Sequence, residues 1–150
     1  MKTDYKRRRF VQGLLAFAGL ALVPLQLFAR NNAAFSATTA DPALAALFGD
    51  KALTESDQVK LKVPDIAENG AVVPVTVTSK LDGVKSITIL VAENPNPLSA
   101  SFRLMPGVTA EISTRIKMGQ SSDVLAVVET DKGIYVTRKN VKVTIGGCGG

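Results

Sequence analysis

Hydrophobic and polar residues alternate with a period of two through most of the chain after residue 56. This period places every second side chain on one face of an extended segment, so it is typical of β-strands with one buried face. Pro, Gly and Asn-Gly or Asp-Gly signals separate the segments about every 8–12 residues, as turns do. The pattern predicts an all-β fold, an immunoglobulin-like β-sandwich of about seven strands over residues 57–145. The alternating segments are QVKLKV, AVVPVTVTS, VKSITILV, SASFRLM, AEISTRIKM, DVLAVVET and GIYVTRKNVKVTI.

Two prolines mark local departures from this pattern. Pro42 suits the first position of a short helix over residues 41–49, which Asp41 is predicted to cap and Gly49 to end. Pro74 interrupts the second alternating segment. Because proline cannot donate a ladder hydrogen bond, that strand is predicted to lie at a sheet edge or to be bulged there.

Residues 1–36 begin with basic residues, continue as an apolar run and end in small residues. That layout is typical of a secretory signal peptide. Arg7 and Arg8, followed by Phe10, fit the twin-arginine form of such a signal. The sequence therefore predicts a twin-arginine leader and an exported mature chain.

The alternative for this segment is a signal anchor that stays in the membrane. A spanning helix needs about 20 apolar residues, and the run here is shorter and contains Pro24. Cleavage between residues 36 and 40, with no stable membrane insertion, is therefore the favoured interpretation.

The formal net charge of +5 comes from the leader. Residues 1–36 hold six Lys and Arg residues against one acidic residue, whereas the rest of the chain has equal numbers of basic and acidic residues. A nucleic-acid-binding surface would need a basic patch in the body of the domain. The charge pattern therefore argues against nucleic acid as a partner.

The residue types exclude several kinds of active site. The chain has no His and one Cys, so it cannot build a Ser-His-Asp triad, a Cys-His pair or a His-containing metal site. One Cys cannot complete a zinc or iron–sulfur site alone. The sequence therefore predicts a non-catalytic chain without a metal or cofactor.

The only cysteine, Cys148, is third from the last residue and is flanked by glycines. Gly146 and Gly147 on one side and Gly149 and Gly150 on the other permit almost any backbone conformation. At about 3.3–3.6 Å per residue, the thiol reaches about 10 Å from Ile145. Residues 146–150 are therefore interpreted as a swinging arm that carries a covalent group on Cys148. An incidental tail and an intermolecular disulfide between two copies are the alternatives.

Several motifs together resemble the SoxY family, the sulfur-carrying subunit of the SoxYZ complex. The resemblance extends over essentially the whole chain and departs at Lys117, where the family pattern has Arg. The motifs are the twin-arginine leader, VPDIAENGAVVPVTV at residues 63–77, ENPNP at residues 93–97, STRIKM at residues 113–118 and the terminal GGCGG.

The resemblance implies a periplasmic carrier that works in thiosulfate oxidation as a heterodimer with SoxZ. It implies that the SoxXA cytochrome joins thiosulfate oxidatively to Cys148 as an S-thiosulfonate. The SoxB hydrolase would then release sulfate, and the SoxCD sulfur dehydrogenase would oxidise the remaining sulfane sulfur. No cofactor is implied for this chain.

The AENG and ENPNP motifs have a simpler interpretation as turns. Asn69-Gly70 is a strong turn dipeptide, and the two prolines of ENPNP fix the backbone of a rigid loop. The alternative is that these turns shape a surface that holds SoxZ or steers the arm.

Two other classes of function remain open. Small sulfur carriers of the ubiquitin-like type end in two glycines and carry sulfur on the terminal carboxylate, although an export signal opposes that cytoplasmic chemistry. A non-carrier, immunoglobulin-like binding module would not need Cys148 at all.

Overall fold

The computed structural model describes residues 31–144, and residues 1–30 and 145–150 lie outside the described range. Within that range the chain forms two helices and nine strands. The helices are α1 (Asn32–Ser36) and α2 (Ala40–Phe48). The strands are β1 (Leu53–Glu55), β2 (Val59–Lys62), β3 (Ile66–Ala67), β4 (Val73–Ser79), β5 (Val84–Val91), β6 (Leu98–Arg103), β7 (Glu111–Ile116), β8 (Ser122–Thr130) and β9 (Ile134–Val143).

These strands form two sheets that share a hydrophobic core, so the predicted all-β sandwich is confirmed. The larger sheet has the order β1-β9-β8-β5-β6, with β3 also paired to β9. The smaller sheet has the order β2-β4-β7. Neighbouring strands run antiparallel except β1 and β3, which are parallel to β9.

All of the alternating segments form strands, and the structure adds β1 and β3. These two have three and two residues respectively. Segments this short have no readable period. They are strands because β9 pairs with them along the edge that β8 does not use.

Helix α2 shows that the predicted start of this helix is wrong. Thr39 is the N-cap residue and its side chain makes no capping hydrogen bond, whereas Asp41 and Pro42 are the second and third helical residues. A carboxylate there still favours the helix, because it lies near the positive end of the helix dipole. Gly49 follows the last helical residue with a φ of 65°, and its N–H donates to the Ala45 oxygen at 2.8 Å.

The first core lies between the two sheets. Val75 and Val77 of β4 and Ile89 of β5 are at most 1% exposed there. Strand β4 alternates these valines with exposed or half-buried residues, as the sequence period predicts. On its outer face, the hydroxyl groups of Thr76 and Ser113 are hydrogen-bonded at 2.9 Å.

The second core lies on the other face of the larger sheet, under the helices. Leu125 and Val127 of β8 belong to it, whereas Val124, Ala126 and Val128 belong to the core between the sheets. Strand β8 is therefore buried on both faces. The domain has three layers, in the order helices, larger sheet and smaller sheet. The helices contribute the buried residues Ala34, Ala43 and Phe48.

Pro74 lies where β4 has a neighbour on one side only. Strand β2 pairs with β4 from Ser79 to Thr76 and ends there. Strand β7 continues alongside, with Arg115 opposite Pro74. Strand β4 is thus central in its second half and an edge strand at Pro74, where the missing N–H of proline is tolerated.

Within residues 31–144, none of the helices is long and apolar enough to cross a membrane.

Helix α1 occupies residues that the sequence assigned to the leader over residues 1–36. Asn31 caps the helix, because its Oδ1 accepts a hydrogen bond from the Ala34 N–H at 3.1 Å. The Asn31 Nδ2 also donates to the Ala46 oxygen of α2 at 2.7 Å. Ala34 is fully buried in the second core. Cleavage after residue 36 would remove this helix, so the cleavage position, which stays a prediction, affects the stability of the mature chain.

Replacing Ala34 with aspartate is expected to lower the free energy of unfolding by about 3 kcal/mol, because a carboxylate would enter a fully buried position. Ala33→Asp is the matched control, since Ala33 is the exposed neighbour in the same helix. Its effect should stay within about 0.5 kcal/mol. Urea denaturation of the full chain measures both. Equal stability of the two variants would show that α1 does not pack on the folded domain.

Candidate functional site

The last strand leads directly to the predicted arm, and its end is held from two sides. We call residues 142–144 the arm base. The N–H groups of Lys142 and Thr144 donate to the oxygens of Asp65 and Ala67 at 2.9 and 3.1 Å. From the other side, the Val143 N–H donates to the Ser121 Oγ at 2.9 Å. The chain therefore leaves the described domain from a fixed point.

The AENG motif packs directly against the arm base. The Asn69 Oδ1 accepts a hydrogen bond from the Ala71 N–H at 2.9 Å, which closes the turn. The Gly70 oxygen accepts a hydrogen bond from the Met118 N–H at 2.7 Å. A Cβ on Gly70 would overlap the Met118 carbonyl oxygen and lie 2.9 Å from the Val143 Cγ1. Only glycine allows this close approach of the turn to the last strand.

The ENPNP motif is tied to the loop that follows β7. The Asn94 Nδ2 donates to the Lys117 oxygen at 2.7 Å, and the Asn94 Oδ1 accepts a hydrogen bond from the Gly119 N–H at 3.0 Å. The Glu93 N–H donates to the Ser122 Oγ at 3.0 Å. Since Lys117 contributes its main-chain oxygen, the departure from Arg at this position does not alter the contact.

Three segments that are far apart in the sequence therefore meet at one end of the sandwich. The turn at residues 68–71 and the loop at residues 117–121 contact the arm base, and the loop at residues 93–97 is tied to the 117–121 loop. Sequence reasoning identified these segments only as separate turns or motifs. It missed Ser121, whose hydroxyl holds the arm base, because nothing in the sequence around it distinguishes this serine from other surface serines.

A cleft of about 430 Å³ opens beside this end of the domain. It lies between residues 38–41, at the start of α2, and residues 92–95. Its residues are small or polar, with the carboxyl groups of Asp41 and Glu93 among them. In the part of the chain that the structure describes, no group of three or more His, Cys, Asp or Glu residues could hold a metal ion.

One ion pair with a perturbed pKa lies at the opposite end of the domain. Lys85 Nζ is 2.8 Å from the Asp131 Oδ1. The hydrogen bond to Asp131 and the charge of that carboxylate raise the pKa of Lys85 above its ordinary value. Lys85 is the second residue of β5 and Asp131 lies in the β8–β9 turn, so the pair takes no part in the chemistry of the arm base.

The residues predicted to carry the function lie outside the described residues. On the arm these are Cys148, Gly146, Gly147, Gly149 and Gly150, and in the export signal they are Arg7, Arg8 and Phe10. Their predicted roles stay predictions.

Comparison with known proteins assigns the chain to a family. The sequence profile described as "Sulfur oxidation protein SoxY" matches residues 44–148, which is more than half of the chain. The chain belongs to the SoxY family. The match to SoxY extends through Cys148 and begins inside α2, so α1 precedes it.

A solved structure agrees with the SoxY assignment. The sulfur carrier protein SoxY from Chlorobium limicola f thiosulfatophilum is 40% identical, with a TM-score of 0.64 over 70% of this chain and 96% of its own. A superoxide reductase (neelaredoxin) from Ignicoccus hospitalis has a TM-score of 0.53 at 17% identity, over 58% of this chain and 80% of its own. Identity this low shows a shared fold only. No curated protein sequence matches the chain.

Proposed function

We propose that this chain is a non-catalytic, covalent sulfur carrier that holds thiosulfate-derived intermediates on Cys148 and presents them to separate enzymes. The observation that carries this proposal is the SoxY match, which extends through Cys148. The 40% identical relative from Chlorobium limicola is itself described as a sulfur carrier protein. No other cysteine in the chain could take this role.

The arm base supports the proposal through its geometry. Thr144 is tied to Ala67, and Val143 to Ser121. Cys148 follows Thr144 by four residues, so its Cα lies within about 14 Å of the Thr144 Cα at the usual rise of about 3.3–3.6 Å per residue. A fixed attachment point with a short tether keeps the thiol near the domain surface and still allows it to enter a recessed pocket.

The chemistry divides between the chain and its partners. Cys148 loses its thiol proton and forms an S–S bond with the outer sulfur of thiosulfate, while two electrons pass to the SoxXA cytochrome. In the SoxB step, water cleaves the bond between the sulfane sulfur and the sulfonate group. Sulfate leaves, and a persulfide remains on Cys148 for oxidation by SoxCD.

The assembly and location belong to the same proposal. The chain would form a heterodimer with SoxZ and would reach the periplasm through the twin-arginine signal at Arg7, Arg8 and Phe10. It would need no cofactor, because the redox and hydrolytic centres belong to the partner enzymes. Residues 31–144 supply neither a histidine nor a cysteine to any such centre.

Mass spectrometry of the purified heterodimer tests the proposal. After incubation with thiosulfate and the oxidising cytochrome, we expect an S-thiosulfonate adduct on Cys148 that a thiol reductant removes. Peptide mapping separates this outcome from modification of the terminal carboxylate, which the thiocarboxylate alternative requires. A Cys148 thiol that stays unmodified while the cytochrome is reduced would contradict the proposal.

A further inference from the structure

Two exposed hydrophobic residues lie in the segment that supports the arm base. Ile66 is 56% exposed and Val72 is 50% exposed. Single exposed hydrophobic residues are common on protein surfaces, so exposure alone does not indicate a binding surface. The position of this pair in the segment that supports the arm base is the feature that indicates one. We call Ile66 and Val72 the arm-base pair. In the part of the chain that the structure describes, the other exposed large hydrophobic residues are Leu53, Met105 and Val108.

The arm-base pair belongs to a rigid part of the domain. Ile66 lies in β3, opposite Lys142 in the parallel pairing with β9. The Val72 N–H donates to the Asn69 oxygen at 3.3 Å, and Val72 directly precedes β4. Between these residues, Gly70 packs against Met118 and Val143. The two apolar side chains are therefore presented by an anchored turn, which lowers the entropy cost of ordering them in an interface.

The number of residues between Thr144 and Cys148 determines which part of the domain surface a partner enzyme must contact. Cys148 lies four residues after Thr144, so the tether spans at most about 14 Å. An enzyme that takes Cys148 into a recessed pocket must bring the rim of that pocket to the surface around Thr144. Ile66 is next to that surface, because Lys142 opposite it lies two residues before Thr144.

The charges around the arm base do not select a partner by their sign. The exposed carboxylates of Asp65 and Glu68 lie in the same region as the exposed lysines Lys117 and Lys142. The Asp65 Oδ1 is also paired with the Lys139 Nζ at 2.9 Å. Because both signs are interspersed here, apolar contact is the stronger source of affinity, as in interfaces where an apolar centre is enclosed by a polar rim.

We propose that Ile66 and Val72 form a docking surface for the enzymes that receive the arm. This inference rests on the proposed carrier function and adds the site at which those enzymes bind the domain itself. The partner is an enzyme with a recessed, thiol-accepting pocket and an apolar patch at its rim. Binding of the domain at this surface holds the arm at the pocket entrance, so recognition does not depend on the few arm residues alone.

The experiment uses the intact heterodimer loaded with the S-thiosulfonate and compares two double variants. Ile66→Glu/Val72→Glu changes the arm-base pair. Met105→Glu/Val108→Glu is the matched control, because these residues are 69% and 57% exposed and lie in the β6–β7 loop, at the other end of the sandwich. The readouts are kcat/KM and KM for sulfate release by the hydrolase, heterodimer formation by native mass spectrometry and, on a separate sample reduced to the free thiol, alkylation of Cys148 by a small reagent.

We expect the arm-base variant to lower kcat/KM about tenfold or more, mainly by raising KM, as the loss of an interface hot spot does. Heterodimer formation and alkylation of Cys148 should stay unchanged, and the control variant should differ from wild type by less than about twofold. Ile66→Thr/Val72→Thr removes apolar surface without adding charge. This variant replaces the glutamate variant in the test if the latter does not fold, and it should likewise raise KM.

Three results would overturn the inference. Equal kcat/KM for the arm-base and control variants would show that the enzymes do not use this surface. Loss of the heterodimer in the arm-base variants would assign the surface to the SoxZ interface instead. If wild-type Cys148 never carries cargo, the proposed function itself fails. The loading step with the wild-type protein shows this before any variant is compared.

Discussion

Replacing Cys148 with serine is expected to abolish thiosulfate-dependent turnover in the reconstituted system. A hydroxyl group is a far weaker nucleophile than a thiolate at neutral pH and cannot form an S–S bond with thiosulfate. Cys148 is the only cysteine in the chain, so no second thiol can take over its role. Turnover is measured as reduction of the cytochrome and as release of sulfate. Sustained turnover by the serine variant would rule out the carrier function and favour a binding module.

A second variant separates the presence of the thiol from its position. In Cys148→Ser/Thr144→Cys the only thiol moves to Thr144, an exposed residue whose backbone is tied to Ala67. A small alkylating reagent should still modify it, whereas the partner enzymes should not process it, because the tether is gone. The unfolding free energy of both variants should match wild type. Full turnover from position 144 would contradict the swinging-arm interpretation.

The second large effect is expected at Gly70, where alanine should lower the free energy of unfolding by about 2–3 kcal/mol. The added Cβ would overlap the Met118 carbonyl oxygen and approach the Val143 Cγ1. Backbone must then move, and overpacking of this kind typically costs about 1–3 kcal/mol. Because Val143 belongs to the arm base, the same change should also weaken the attachment point of the arm.

Gly119→Ala is the control for this prediction. Gly119 lies in the neighbouring loop, and its added Cβ would come no closer than 3.8 Å to the Asn94 Oδ1. Its N–H, which donates to that same oxygen, is retained in alanine. We expect a change within about 0.5 kcal/mol in urea denaturation. Similar stability of the two variants would mean that the AENG turn does not pack tightly on Met118 and Val143.

The period-two pattern was sufficient to predict the sandwich, because strands such as β4 alternate buried residues with less buried ones. It did not predict that β8 is buried on both faces. The pattern was insufficient for β1 and β3, whose two or three residues become strands only by pairing with β9. Helix α1 was also missed. Its residues follow an apolar leader in the sequence, and their burial against α2 and the larger sheet depends on tertiary packing.

The residues of the candidate site stand out in the sequence, whereas the arrangement of the segments next to the arm does not. Cys148 stands out in the sequence because it is unique and is flanked by glycines. The AENG and ENPNP motifs stand out as turns. Their meeting at one end of the sandwich depends on strand order, which places the end of β5, the start of β8 and the end of β9 together. The role of Asn94 as a bridge between two loops follows only from its side-chain contacts.

The pairing of β9 has a mechanical consequence for a carrier. In the proposed carrier function, a pull by a partner enzyme along β9, a strand of ten residues, would load the pairing of β9 with its neighbouring strands. Strand β8 pairs with it from Ile134 to Val141, and β3 with its last two residues. Antiparallel ladder hydrogen bonds lie across the strand direction, so the load is shared by many bonds in shear. Repeated withdrawal from partner pockets would therefore break the weaker contacts between the proteins before it loosened the domain.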